Sequence, residues 1–225
     1  MPQTTPPAPR SAAPFLLLGA LILGIVLLGG LVLVRLQQAA AIPPTPTFAP
    51  DIPGVTLIQP GREVADFTLP TIDGNLSLSD LNDTYTVIFF GYTHCPDFCP
   101  LTLAEFTRIK AMLGEDAARV KFLYISVDPA RDTPQVVGEY VRRFDPEFLA
   151  MSGDEVTLAQ ITPDYGLYYD LRTDEGRGDN YLVDHSTASY LIDPQRRLRA
   201  VFSYDATPEA ISEYIEGVIT GDTAA

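Results

Sequence analysis

Residues 15–34 run for 20 positions without a charge or a strongly polar side chain. As a helix rising about 1.5 Å per residue, such a run spans about 30 Å, the thickness of a bilayer's hydrocarbon core. Leu, Ile and Val dominate it, and its glycines are tolerated in lipid. No other feature constrains the chain as much. It divides 225 residues into a short tail, one transmembrane helix and a remainder the size of one ordinary domain. A cleaved signal peptide is the competing reading, with Ala39-Ala40-Ala41 as its cleavage site. Signal-peptide apolar cores run only about 7–15 residues, so the length favours an uncleaved anchor.

The flanks follow from composition. Residues 1–14 are rich in Pro, Thr and Ala and read as a disordered tail. Residues 35–54 contain Pro43-Pro44-Thr45-Pro46 and read as a Pro-rich tether in extended polyproline geometry. Residues 55–225 are the globular domain. Charge is uneven: from Asp51 onward the chain holds 13 basic residues against 29 acidic ones, a net −16. A domain that acidic is expected to repel nucleic acid and anionic lipid surfaces, so no nucleic-acid partner is expected, and the charge reads chiefly as solubility. Arg10 and Arg35 flank the span one on each side, so the free amino terminus tips the tail toward the cytoplasm. The tail has too little Arg and Ser for a mitochondrial transit peptide. The expected location is therefore a bacterial inner membrane, crossed once, with the domain on the periplasmic side.

Within the domain, two short apolar segments flank the turn at Asp73-Gly74 and predict a hairpin. Residues 85–90 form a near-continuous apolar run, as in a strand buried on both faces. A helix is predicted from Pro100, with Leu103, Phe106, Ile109 and Leu113 along one side. A second buried strand covers 122–127. Thr133-Pro134 caps a helix whose apolar face is Val136, Val137, Tyr140, Val141 and Phe144. A short strand at 148–151 and a short helix at 154–161 follow. Residues 189–192 and 198–202 pair across Asp193-Pro194, and a last helix starts at Thr207-Pro208. Alternation gives a parallel core and the late hairpin adds antiparallel strands. The fold class is α/β, thioredoxin-like: a central mixed sheet flanked by helices, with extra N-terminal strands.

The chain has two cysteines and two histidines, and His94, Cys95 and Cys99 crowd into six positions. A disulfide across so short a loop stabilises little, so the pair is expected to be redox-active or metal-binding. It sits at the carboxyl end of the central strand, where open α/β sheets build their sites. A helix N-terminus there favours thiolate, which is both nucleophile and metal ligand. Because Pro100 disfavours helix at Cys99, residues 95–99 are expected in a turn with both sulfurs facing one point. Two thiolates suit Cu(I) or Zn(II). Structural zinc wants four ligands, and His94 beside Cys95 is expected to point elsewhere. Cys95, Cys99 and the distant His185 then form a three-ligand set that satisfies Cu(I). Asp184 is either a loop acid or the group that orients the imidazole. Asp97 reads as an exposed turn residue, and Tyr165, Tyr168 and Tyr169 as packing.

Three motifs carry a family resemblance. Gly91-Tyr92-Thr93-His94-Cys95-Pro96-Asp97-Phe98-Cys99-Pro100, Ser126-Val127-Asp128-Pro129-Ala130-Arg131-Asp132-Thr133-Pro134 and Val183-Asp184-His185-Ser186 resemble the signatures of the Sco (SenC) family, in that family's order. The resemblance implies a thioredoxin-like domain on one membrane anchor and copper, as Cu(I), Cu(II) or both, held by Cys95, Cys99 and His185. It implies a role in assembling the dinuclear copper centre of cytochrome c oxidase. The implied partner is the oxidase's copper-site subunit, and another periplasmic copper carrier or thiol reductase is a further expected partner. A metallochaperone is not an enzyme. The alternative is a membrane-anchored thiol–disulfide reductase in which Cys95 and Cys99 are the redox-active pair. Such reductases usually carry a cis-proline at the place that Thr187 occupies here.

Overall fold

The computed structural model describes residues 27–30, 52–173 and 180–221. The chain separates into two units, Met1–Thr47 and Phe48–Ala225. In the first, residues 27–30 are helical and exposed. Among the described residues no helix is long and apolar enough to cross a membrane. The rest of the predicted span, the tail and nearly all of the tether lie outside them.

In the second unit the strands are β1 (Val55–Glu63), β2 (Thr68–Thr71), β3 (Gly74–Ser77), β4 (Tyr85–Gly91), β5 (Val120–Ser126), β6 (Leu149–Ser152), β7 (Tyr169–Leu171), β8 (Val183–His185), β9 (Ser189–Ile192) and β10 (Arg197–Phe202). The helices are α1 (Phe98–Leu113), α2 (Pro134–Val141), α3 (Glu155–Tyr165) and α4 (Pro208–Thr220). The main sheet has the order β1-β10-β9-β4-β5-β6. Strands β4, β5 and β6 run parallel, joined by α-helical crossovers, while β9, β10 and β1 continue the sheet antiparallel. This is the mixed α/β sheet of the thioredoxin-like class. The hairpin β2–β3 and the ribbon β7–β8 stand as separate two-stranded sheets.

Strand β4 is central because both its faces are covered: Val87, Ile88, Phe89 and Phe90 have no exposed surface. Phe89 meets Phe106 of α1 and Tyr124 of β5, and Phe90 meets Tyr165 of α3 and Tyr190 of β9. The predicted apolar face of α2 holds at Val137 and Val141, which are buried, but Val136 is exposed. Helix α3 runs on to Tyr165 through Pro163, four residues past its expected end.

The sequence reading places no strand over 55–63, where β1 carries Pro60 and Gly61. The strand accommodates them as a bulge, its register with β10 shifting between Leu57 and Arg62. Its entry turns on Gly54, at φ +78°, whose carbonyl accepts from Ser203 N at 2.8 Å. A Cβ on Gly54 would lie 2.6 Å from the Cα of Ala206. Gly54→Ala is therefore expected to lower the melting temperature of the full-length chain by roughly 5–10 °C, through backbone strain and overpacking. A thermal melt followed by circular dichroism checks this, and an unchanged midpoint would refute it.

Candidate metal centre

Strand β4 delivers the chain to the carboxyl edge of the sheet, where Cys95 N donates to Tyr92 O at 3.3 Å and closes a turn. Asp132 pins that turn. Fully buried, it accepts from Thr93 N and Ser126 Oγ at 2.8 and 2.7 Å, and from the Thr93 hydroxyl.

Helix α1 then starts at Phe98, with Asp97 at its cap, two residues before the expected Pro100. Cys99 thus lies in the first turn of the helix and not in the preceding loop. The first helical N–H groups have no intrahelical acceptor, so Pro100 in the first turn removes no bond. The consequence reaches the site: Cys99 N, free at the helix start, points at Cys95 Sγ, 3.5 Å away.

Cys99 is fully buried and Cys95 half-buried, and both are free thiols. Hydrogen bonding from Cys99, aided by the backbone N–H groups of Cys99 and Asp97, outweighs burial and holds the Cys95 thiol far below its ordinary range. The same contact, with burial and the negative charge on Cys95, pushes the Cys99 thiol far up. The thiolate is therefore favoured on the more exposed Cys95, and the proton on the buried Cys99.

His185 arrives on β8, as its last residue. A carbonyl oxygen only accepts, so Nδ1–H donates to Ser186 O at 2.8 Å. That leaves the Nε2 lone pair free, 3.7 Å from Cys99 Sγ. The rings of Phe89 and Tyr92 meet the imidazole at near-right angles, 5.9 and 5.8 Å between centroids, and fix its plane. The two sulfurs and the imidazole nitrogen lie within 4.8 Å of one another, the one such cluster among the described residues. A cleft of ≈ 340 Å³, lined by Cys95, Phe98, Leu182, His185 and Thr187, leaves one side open.

Other residues fall differently. His94 is half-exposed, its Nδ1 at 3.1 Å from Thr93 Oγ1, and is not part of the cluster. Asp184 is half-exposed and holds Arg172 at 2.7 Å, so the imidazole is oriented by the Ser186 carbonyl instead. Asp97 is exposed. Tyr165 is buried against Phe90 and Tyr190, Tyr169 is half-buried in β7, and Tyr168 is 62% exposed.

Sequence reading missed what the second motif does. Arg131 bonds the buried Asp128 at 2.5 Å, donates to Tyr181 O at 2.8 Å and stacks 3.6 Å from the Tyr181 ring centroid. Tyr181 returns a bond to Asp128 at 2.6 Å. The loop that pins the cysteine turn through Asp132 thereby also holds the chain leading into β8. The signal was visible as two acids, Asp128 and Asp132, directly after a strand too apolar to need them.

The fold and site define a class: a thioredoxin-like domain that turns two thiols and one imidazole onto a single point. The family model described as SCO1/SenC matches residues 56–220, and the chain belongs to that family. The SCO2-like protein of Rickettsia felis is 34% identical over 153 residues, 68% of this chain and 75% of that one. The solution structure of apo Sco1 from Thermus thermophilus superposes with a TM-score of 0.67 at 31% identity, covering 72% of this chain and 95% of that one. The structure of Bradyrhizobium japonicum ScoI with copper bound gives 0.62 at 34% identity, covering 68% and 98%.

Proposed function

We propose that this chain is a copper carrier, anchored by residues 15–34 in a bacterial inner membrane, that holds one copper ion on Cys95, Cys99 and His185. It passes the ion to the dinuclear copper centre of cytochrome c oxidase during assembly. One observation carries the reading: three soft ligands from two distant segments converge within 4.8 Å beside an open cleft. Two thiolates and an imidazole match the ligand preference of Cu(I) and fall short of the four ligands of structural zinc. Copper in the ScoI relative supports the choice of ion. Binding displaces the proton held on Cys99, and His185 offers Nε2 without a tautomer change. A thiol of the docked recipient enters from the cleft, and ligand exchange moves the ion.

The test is transfer. The full-length chain in mild detergent, loaded with one equivalent of Cu(I), is mixed anaerobically with the purified, reduced copper domain of the oxidase subunit. Copper is expected to move to the oxidase domain, read by its absorption after oxidation. Retention of copper on the carrier would reject the proposal.

A second reading rests on the unequal burial of the pair. The half-buried Cys95 thiolate is placed to attack a disulfide of the recipient, and Cys99 behind it to resolve the mixed disulfide. That releases a reduced recipient and leaves Cys95–Cys99 oxidised, to be restored by an external thiol reductant. This activity does not need His185.

A further inference from the structure

Tyr124 of β5 is 1% exposed, yet its hydroxyl makes no hydrogen bond of good geometry, with the Cys99 thiol close enough to interact with it. A buried hydroxyl without a partner is costly and calls for a reason. Its surroundings supply one. A Cβ on Gly91 would meet Tyr124 Oη at 2.6 Å and Cys99 Sγ at 2.8 Å. The hydroxyl and the sulfur thus flank the same point, and the missing side chain of Gly91 leaves it open between them. A second hydroxyl without a partner, on Tyr140, belongs to the ring that meets that of Tyr124 edge-on, 6.2 Å between centroids.

We infer that Tyr124 is a positioning residue of the metal centre, whose hydroxyl donates to Cys99 Sγ once that sulfur becomes a metal-bound thiolate. As a thiol, Cys99 is a weak acceptor and the hydroxyl goes unsatisfied. As a thiolate it accepts strongly. The unpaired hydroxyl of the empty protein is thus pre-placed for the loaded one, and part of the affinity for a soft cation comes from satisfying it. This rests on the copper-carrier reading.

The proposal makes two readouts move in opposite directions. In Tyr124→Phe the orphan polar atom is gone, so the metal-free full-length chain is expected to melt no lower than wild type. Its Cu(I) affinity, measured by competition with a chromophoric chelator, is expected to fall about tenfold, the worth of one hydrogen bond to a charged group. In the Cu(II) form the sulfur-to-copper charge-transfer band is expected to shift to lower energy, because the thiolate loses its donor. Tyr165→Phe is the control: it removes another buried hydroxyl without a partner, from a ring packed on Phe90 and not beside Cys99. Unchanged affinity in Tyr124→Phe overturns the inference. So does a loss matched by Tyr165→Phe or accompanied by a lower melting temperature. A wild-type chain that binds no Cu(I) overturns the carrier reading as well.

Discussion

His185→Ala is expected to weaken Cu(I) binding by the full-length chain more than about 100-fold. Losing only an outer partner of a metal ligand costs about 10–100-fold, and this variant removes a ligand itself. Among the described residues nothing nearby replaces it: Asp184 is committed to Arg172, and His94 is not part of the cluster. Replacing both cysteines by serine is expected to abolish binding, because the hard hydroxyls that remain do not hold Cu(I). Anaerobic titration against a chromophoric Cu(I) chelator measures both. Disulfide exchange by the pair is expected to survive His185→Ala, which separates the carrier from the reductase. Binding indifferent to His185 would move the function to the dithiol alone.

Asp132→Ala carries the largest expected cost to stability outside the site. The carboxylate is fully buried and accepts from Thr93 N, the Thr93 hydroxyl and Ser126 Oγ. Truncation strands these donors and leaves a cavity; because the turn and water relax around them, the expected total is that of breaking a buried charged network, about 3–5 kcal/mol. The midpoint of urea unfolding should fall at an unchanged slope, and the melting temperature should drop by roughly 10 °C. The Cys95 turn is expected to loosen too, so Cu(I) affinity falls although no ligand is touched. Asp132→Asn keeps one acceptor oxygen and should recover part of both. A loss below about 1 kcal/mol would mean that the turn is held by other contacts.

The parts of this architecture set by local periodicity were legible in the sequence. The doubly buried β4, the capped helices α2 and α4 and the late hairpin β9–β10 come where alternation and caps put them. The triad was legible because cysteine and histidine are so scarce that few ligand sets exist. Features that depend on distant partners were not. Strand β1 exists because β10 offers it an edge, despite Pro60 and Gly61. The ribbon β7–β8 has three residues a side, too few to show a period. The helix start was misplaced because Pro100 was read as a barrier, when a first-turn proline has no bond to lose. The Asp128–Arg131–Tyr181 latch joins residues some 50 positions apart and leaves no local pattern.

The two kinds of ligand hang from supports of different stiffness. The cysteines stand at the end of the central strand of a six-stranded sheet, and the histidine on a two-stranded ribbon that no main-sheet strand extends. Two strands alone are marginal in water, so the ribbon depends on its ties to the rest of the domain. An ion held by sulfur on one side and nitrogen on the other is one more tie. By mass action, anything bound only to the folded form deepens that form's free-energy well, by about 4 kcal/mol at a thousandfold excess over the dissociation constant. On the copper-carrier reading, cargo and scaffold are therefore thermodynamically linked: release of the ion would also slacken the ribbon, and a spent carrier would differ from a charged one in rigidity as well as in content.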